Sequence, residues 1–237
     1  MNGNNTDKIL HSLEVLYEDN HIIAINKKPS QIVQADKTGD ISLEVLVKKY
    51  IAEKYNKPGE AFLGVIHRID RPVSGVVVFA RTSKALTRLN ELVKNRDIQK
   101  TYWAIVKNKP KQTEGRLENY LVRNEAKNKT TITGKGNPHA QQALLDYKMI
   151  ILSDNYYLLE IQLITGRHHQ IRAQLAGMGC PIKGDLKYGS ERSNPDASIC
   201  LHARSVSFVH PVRNEEITIT ADPPDNSLWN YFTGQLS

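Results

Sequence analysis

Residues 67–75 of the chain read His-Arg-Ile-Asp-Arg-Pro-Val-Ser-Gly and stand directly before the apolar run Val-Val-Val-Phe of residues 76–79. A short run of β-branched and aromatic residues predicts a buried strand. Asp70 is therefore expected on a loop before that strand, between Arg68 and Arg71. Two flanking positive charges favour the ionised form of a carboxylate. The alternative interpretation is an ordinary surface ion pair, which contributes about 0–1 kcal/mol.

The rest of the chain shows many short strand patterns and few helical ones. Alternating or apolar runs bounded by turn residues predict strands at residues 13–17, 22–26, 62–66, 101–106, 143–151, 157–164, 203–209 and 216–220. Ser42 is a candidate cap of one helix, and Thr82 or Ser83 of a second. Residues 167–176 look helical, whereas residues 107–138, rich in Lys, Asn, Thr and Gly, predict loops and irregular hairpins.

This order of elements predicts an α+β fold around a largely antiparallel sheet, because there is no regular βαβ alternation. No linker composition stands out, so we expect a single domain over residues 13–237, preceded by a flexible tail of residues 1–12.

Composition restricts the class of protein. Of 237 residues, 40% are hydrophobic and 24% charged, and no apolar run approaches the ~18 residues that span a bilayer. The polar N-terminus does not resemble a signal peptide, and two cysteines are too few for a disulfide scaffold, so a cytoplasmic location is expected. The net charge of +7 and a pI of about 9.3 suit a nucleic-acid partner or, equally, a mildly basic enzyme without one.

Residues 67–75 resemble the His-Arg-Leu-Asp-x-x-Thr-Ser-Gly signature of the RluA family of RNA pseudouridine synthases. Further motifs similar to those of the family follow in order along the chain: Asp19-Asn20-His21, Lys28-Pro29, Lys100-Thr101-Tyr102, Thr-Gly-Arg-His-His-Gln-Ile-Arg at residues 165–172, Pro181-Ile182, Gly184-Asp185, Tyr188-Gly189, Leu201-His202-Ala203 and His210-Pro211. Any one of these motifs is weak evidence, but the ordered series is specific.

The chain departs from the family pattern at four positions. Ile69, Val73, His168 and Gln31 stand where the family usually has Leu, Thr, Thr and Gly. Val73 lacks the hydroxyl group that the family's Thr has beside the Asp70 loop, whereas Ile69 conserves the volume of the family's Leu. Only residues 1–12 precede the first predicted strand, so the optional S4 RNA-binding module of the family is not expected. RNA recognition would then come from the catalytic domain.

The resemblance implies an isomerase with the pseudouridine synthase fold, a largely antiparallel mixed sheet flanked by helices and loops with a central active-site cleft. Its substrate would be a stem-loop of ribosomal or transfer RNA. The enzyme would require no cofactor and would be a monomer. The reaction breaks the N1–C1′ bond of uridine and rejoins the base through C5. Asp70 would be the catalytic carboxylate. Whether it attacks the base, attacks C1′ or steers an elimination stays open.

The resemblance also implies roles for other residues. Tyr102 would stack on the target base, Arg172 would be the basic partner of Asp70, and Leu201 would line the base pocket. Arg68 would enter the RNA and help to extrude the uridine. Without the resemblance, Tyr102 would be interpreted as an aromatic residue packed in a strand, Arg172 as an exposed arginine of a helix, and Leu201 as a core residue. Four further residues are predicted to bind RNA: Arg71, Arg167, His169 and Gln170.

Two other functions compete with this interpretation. One is a catalytically silent RNA-binding protein that keeps the fold, although the presence of Asp70, Tyr102 and Arg172 favours an active enzyme. The other is a hydrolase that uses His168-His169 with Asp185 and requires a metal. Adjacent helical residues point about 100° apart, and no Cys or carboxylate cluster with ligand spacing accompanies the pair, so no metal site is predicted.

Overall fold

The computed structural model describes residues 13–236, so the predicted tail of residues 1–12 lies outside the described residues. The chain divides into two compact units. Of the described residues, the first unit contains residues 13–98 together with Ser205–Asp222, and the second contains Gln99–Arg204 together with residues 223–236. The single domain expected from the sequence stays a prediction.

The first unit is built on antiparallel strands, in which β2 (Ile22–Lys27) pairs with both β1 (Val15–Glu18) and β4 (Ser74–Ala80). The short β3 (Gly64–Val65) also pairs with β4. Residues 205–209 of β10 (Leu201–Val209) pair with β11 (Glu216–Thr220). Every residue of β4 is buried, as expected for an apolar run of this length.

Two capped helices belong to the same unit. Helix α1 (Leu43–Lys54) begins where the Ser42 hydroxyl accepts a hydrogen bond from the Val45 amide, and α2 (Ser83–Asn95) begins at an equivalent Thr82 cap. Such a cap satisfies one of the first amides of a helix, which has no partner inside the helix. The apolar face of α2 packs Ala85 and Leu89 into a core with Ile22, Val76 and Val78.

The second unit contains a meander of long strands. Its antiparallel order is β5 (Gln99–Val106), β9 (Tyr157–Leu163), β8 (Gln141–Leu152), β6 (Glu114–Asn124) and β7 (Lys129–Thr133). The pairing of β8 with β9 contains an irregularity between Met149 and Ile151. Two helices complete the unit, α3 (Gln170–Gly177) and α4 (Ser227–Thr233), with a turn of 3₁₀ helix at Leu186–Tyr188.

Most of the strands and both capped helices confirm the sequence predictions, but the structure differs from the prediction in three regions. Residues 107–138 were expected to be irregular, yet β6 and β7 form a regular hairpin because β6 also hydrogen-bonds along β8. Helix α3 begins at Gln170 rather than at residue 167 because His169 has φ = 50°, a left-handed conformation. The strand predicted at residues 62–66 is reduced to Gly64–Val65. Among the described residues, no helix is long and apolar enough to cross a membrane.

Candidate active site

Asp70 lies on the loop that connects β3 to β4. The Val73 amide donates a hydrogen bond of 3.0 Å to the Asp70 carbonyl and closes a turn. Ile69 and Val73 on either side are buried, whereas Asp70 is partly exposed and Arg68 is exposed. The loop is therefore fixed by its apolar members while the predicted catalytic carboxylate stays accessible.

The Arg71 residue is held through both its backbone and its side chain. Its carbonyl accepts hydrogen bonds from the Ser30 amide at 2.9 Å and from Lys27 Nζ at 3.1 Å. Its guanidinium forms an ion pair of 2.7 Å with Asp40, and both side chains are about half exposed. An exposed pair of this kind is weak, so it can open for a phosphate. The RNA contact of Arg71 stays a prediction.

The two ends of the loop are anchored to β4. The Val78 amide donates to His67 Nε2 at 3.0 Å, so the proton of the neutral His67 ring is on Nδ1. Gly75 has φ = 114° and pairs with Lys27 across β2 and β4. Only glycine adopts this backbone conformation without strain. The Gly of the signature is thus required by the way in which the loop enters the strand.

Lys27 is completely buried beside this loop. Its ammonium group donates to three backbone carbonyls, those of Lys28 at 3.0 Å, Gln31 at 2.9 Å and Arg71 at 3.1 Å. Burial lowers the pKa of Lys27 to about 7; the charge of Asp70 acts to raise this pKa and that of Arg71 to lower it. No sequence pattern predicted this burial, because Asn26-Lys27-Lys28 has the composition of a polar strand end.

In the second unit, Arg172 and Asp185 form a buried bidentate ion pair. Arg172 Nε lies 2.7 Å from Asp185 Oδ2, and Arg172 Nη2 lies 2.8 Å from Asp185 Oδ1. The two side chains are 6% and 1% exposed, and the guanidinium also stacks over the Tyr188 ring at 5.0 Å. This geometry matches the planar fork of arginine to a carboxylate. The predicted action of Arg172 on Asp70 stays a prediction.

A hydrogen-bonded cluster surrounds the start of α3. His169 Nδ1 lies 2.9 Å from the Tyr188 hydroxyl, which also accepts from the Thr130 amide at 2.8 Å. Burial, with the nearby charge of Arg172, lowers the pKa of His169 to about 2, so its ring is neutral. The His168 ring stacks on it at 3.8 Å and lies 2.8 Å from the Thr130 hydroxyl.

This cluster argues against the hydrolase alternative. A histidine with so low a pKa is a poor general base at neutral pH. The carboxylate of Asp185 is already bound by Arg172.

Gln170 fastens the turn before α3 to the neighbouring strand. Its side-chain oxygen accepts from the Thr165 hydroxyl at 2.8 Å and from the Arg167 amide at 3.0 Å, and its amide group donates to the Leu144 carbonyl at 3.0 Å. Arg167 itself donates to the Gln142 carbonyl at 3.2 Å. The buried Gln170 thus uses both of its polar atoms within the protein, which favours a structural role. Its contact with RNA stays a prediction.

Tyr102 and Leu201 are strand residues of the second unit. Tyr102 lies on β5 opposite Ile161 of β9 and is 8% exposed, while Leu201 begins β10 and is 4% exposed. Burial lowers the pKa of the neighbouring Lys100. The roles of Tyr102 and Leu201 at the base stay predictions.

Seven of the nine predicted site residues gather in two places, one within each unit. The loop of the first unit carries Arg68, Asp70 and Arg71. In the second unit, Arg167 and His169 lie just before α3, and Gln170 and Arg172 lie in its first turn. Sequence reasoning missed Lys27 and the Tyr188 hydroxyl as partners of these groups. Tyr188-Gly189 and Gly184-Asp185 did appear as motifs, which was a usable signal for Tyr188 and Asp185.

The chain is similar in sequence to known proteins. Residues 21–177 match the RNA pseudouridylate synthase family. The ribosomal large subunit pseudouridine synthase C of Rickettsia bellii is 30% identical over 89% of this chain and 68% of its own length. An uncharacterised RNA pseudouridine synthase of Bacillus subtilis is 31% identical over 90% of this chain and 69% of its own length.

Solved structures support the fold. The human RNA pseudouridylate synthase domain containing 4 protein superposes with a TM-score of 0.80 at 24% identity, covering 98% of this chain and 96% of that one. The human domain containing 1 protein gives a TM-score of 0.70 at 20% identity, covering 91% and 84%. These likenesses define an α+β protein with the pseudouridine synthase fold, as predicted.

The class of protein is therefore an RNA-modifying isomerase. Within that class, the chain belongs to the RluA-type family of RNA pseudouridine synthases, which confirms the resemblance drawn from its motifs.

Proposed function

We propose that this enzyme isomerises specific uridines of ribosomal RNA to pseudouridine and that Asp70 is its catalytic carboxylate. The choice of ribosomal RNA is supported by the names of similar proteins, among them the large subunit pseudouridine synthase C of Rickettsia bellii and synthase D of Zymomonas mobilis. Transfer RNA is the other substrate expected from the sequence.

The observation that carries the role of Asp70 is the way in which its loop is built. Backbone hydrogen bonds to the Asp70 and Arg71 carbonyls fix the loop, and Ile69 and Val73 pack in the core, yet Asp70 keeps access to solvent. A catalytic group must be held in one geometry to act on a bound substrate. The alternative for the same residues, a surface ion pair, does not require a loop that is held by backbone hydrogen bonds and buried neighbours.

The chemistry requires a single nucleophilic or stabilising carboxylate. The bond from C1′ to N1 breaks, the base turns, and a bond from C1′ to C5 forms; C5 loses its proton and N1 gains one, so no atom is lost overall. Asp70 can attack or stabilise the sugar–base unit while the base is detached. We infer that Arg68, which is exposed on the same loop, contacts RNA beside it.

The test is to map pseudouridines in the RNA of cells that lack the gene, after complementation with wild type or with Asp70→Asn. Wild type should restore sites in ribosomal RNA, and Asp70→Asn should restore none while its affinity for RNA stays near that of wild type. Asp146→Asn, which removes an exposed carboxylate paired with Arg116, is the matched control and should behave as wild type.

The outcomes separate the two parts of the proposal. Restored sites confined to transfer RNA would overturn the ribosomal substrate and leave the family activity intact. Pseudouridine formation by a clean Asp70→Asn preparation would overturn the catalytic assignment.

A further inference from the structure

Lys27 is a charged side chain of the Asp70 region whose burial the reaction described above does not explain. A lysine is almost never fully buried unless its ammonium is paired, because desolvation of the charge is expensive. Here all three donors of the ammonium are used, on the carbonyls of Lys28, Gln31 and Arg71. Three carbonyls that converge on one buried point form a site built for a cation.

Two of those carbonyls belong to the turn after β2, and the third belongs to the residue next to Asp70. Lys27 therefore connects the end of β2 to the loop that carries the carboxylate, across 44 positions in the sequence. The Ser30 amide donates to the same Arg71 carbonyl, so the turn and the loop are joined at one acceptor. A shift of the Lys27 ammonium would move the Arg71 carbonyl, and with it the backbone of Asp70.

The charge of Lys27 also interacts with charged groups of the loop. The Asp70 carboxylate attracts the Lys27 ammonium, and the Arg71 guanidinium repels it. Arg71 is itself paired with Asp40, which offsets part of its charge. In a buried setting such interactions are screened less than at the surface.

We propose that Lys27 is a positioning residue of the enzyme: its buried ammonium holds the Arg71 carbonyl and attracts the Asp70 carboxylate, which fixes Asp70 in its working geometry. The proposal rests on the catalytic role of Asp70 for its functional consequence. The coupling between the two charges can be measured without any assay of activity.

The first experiment measures that coupling. Lysine side chains labelled with ¹³C at Cε are titrated by NMR in the intact protein, with the Lys27 signal assigned by its loss in Lys27→Arg. Wild type should show a pKa for Lys27 near 7, and Asp70→Asn should lower it further because the attracting carboxylate is gone. Asp146→Asn should leave it unchanged. A Lys27 pKa that is the same in Asp70→Asn and wild type would overturn the proposal.

The second experiment measures the consequence for the chemical step, as the single-turnover rate at saturating RNA. Lys27→Met should lower this rate by about 10- to 100-fold, since a small displacement of a catalytic group costs that much. Lys84→Met removes an equal charge from the exposed surface of α2 and should leave the saturated rate unchanged. A wild-type rate in Lys27→Met would also overturn the proposal.

The pH dependence distinguishes positioning by charge from general loss of structure. The ratio of the wild-type rate to the Lys27→Met rate should be largest below pH 7 and should shrink as pH rises and the wild-type ammonium loses its proton. A ratio that is constant with pH contradicts a role for the charge. If Lys27→Met does not fold, the NMR titration of wild type and Asp70→Asn still decides the question. If wild type forms no pseudouridine, the proposed function fails while that titration stands.

Discussion

At the scale of single residues, the protein buries charge next to the residues that are predicted to do its chemistry. Lys27 is fully buried beside the Asp70 loop in the first unit, and Arg172 of α3 is buried with Asp185 in the second. Buried charges rarely add stability compared with apolar residues of similar volume. Their presence therefore points to positioning rather than to folding.

Lys27 should make the stability of the protein depend on pH. Its pKa falls from 10.5 in the unfolded chain to about 7 in the fold, so the unfolded state binds the extra proton between these values. The free energy of unfolding should rise with pH from about 7 to about 10.5 through this group, by an amount on the order of a few kcal/mol. Below pH 7 the lysine is charged in both states, so the free energy of unfolding is lowered by the full cost of burying the charge.

Urea unfolding of wild type and Lys27→Met at several pH values measures this contribution. The difference between the two proteins cancels other titrating groups, and it should change in favour of wild type as pH rises. Lys28→Met, which removes a lysine that is exposed in the fold, is the matched control. A wild-type to Lys27→Met difference that is flat from pH 6.5 to pH 10 contradicts the burial of a titrating ammonium.

Arg172→Ala should destabilise the fold as well as lower activity. It leaves the Asp185 carboxylate, 1% exposed, without its bidentate partner, which costs about 3–5 kcal/mol. The double variant Arg172→Met with Asp185→Leu should lose less stability than Arg172→Ala, because no charge is left unpaired. Denaturant midpoints check both statements, and an unchanged midpoint for Arg172→Ala would falsify the buried pair.

At the scale of elements, the sequence was most informative where patterns are apolar or capped. The buried run of β4 and the Ser42 and Thr82 caps were predictable, because burial and helix ends select specific residue types. The hairpin of β6 and β7 was not predictable, because its residues are mostly polar, only Leu121 and Thr130 among them are buried, and β6 also hydrogen-bonds to β8. The late start of α3 depends on the φ of His169, which no side-chain pattern encodes.

The same limit applies to the candidate site. The motif around Asp70 could be identified, since its residue order is specific. The burial of Lys27 could not, because it results from carbonyls that lie 1, 4 and 44 positions away. The hydrogen bonds of the Gln170 side chain within the protein could not be predicted either, because the motif gives residue types and not their partners.

The Asp70 loop should show a division of labour in which Arg68 acts on the RNA. Because Arg68 is exposed, Arg68→Ala should leave the fold intact and slow single-turnover reaction most on a folded stem-loop, where extrusion of the uridine costs a few kcal/mol. The loss should be smaller on a loosened variant of the same RNA. Lys84→Ala, an exposed basic residue of α2, is the matched control. Equal losses on the two RNAs would show that Arg68 has no part in extrusion.

At the scale of the whole molecule, the excess of 32 basic over 25 acidic residues gives the chain a charge that suits a polyanionic substrate. Many lysines of the second unit lie in the segment from Lys107 to Lys135, which the structure resolves into strands β6 and β7 and the loops around them. Lys109, Lys127 and Lys135 are exposed there, whereas Lys107 pairs with Glu191. Exposed lysines on such a hairpin can contact phosphates without disturbing the core.

The affinity for RNA should therefore fall as salt rises, with a slope in log–log form of about −0.7 for each phosphate contact on single-stranded RNA. Replacing Lys109, Lys127 and Lys135 together by alanine should make the slope less steep by up to about 2 if all three bind phosphates. Lys48→Ala, which removes a lysine already paired with Glu44 and Glu60, is the control and should leave the slope unchanged. The measurement is a binding isotherm at several salt concentrations. A triple variant with the wild-type slope would place the phosphate contacts elsewhere, and a wild-type affinity that does not change with salt would contradict an electrostatic contribution to binding altogether.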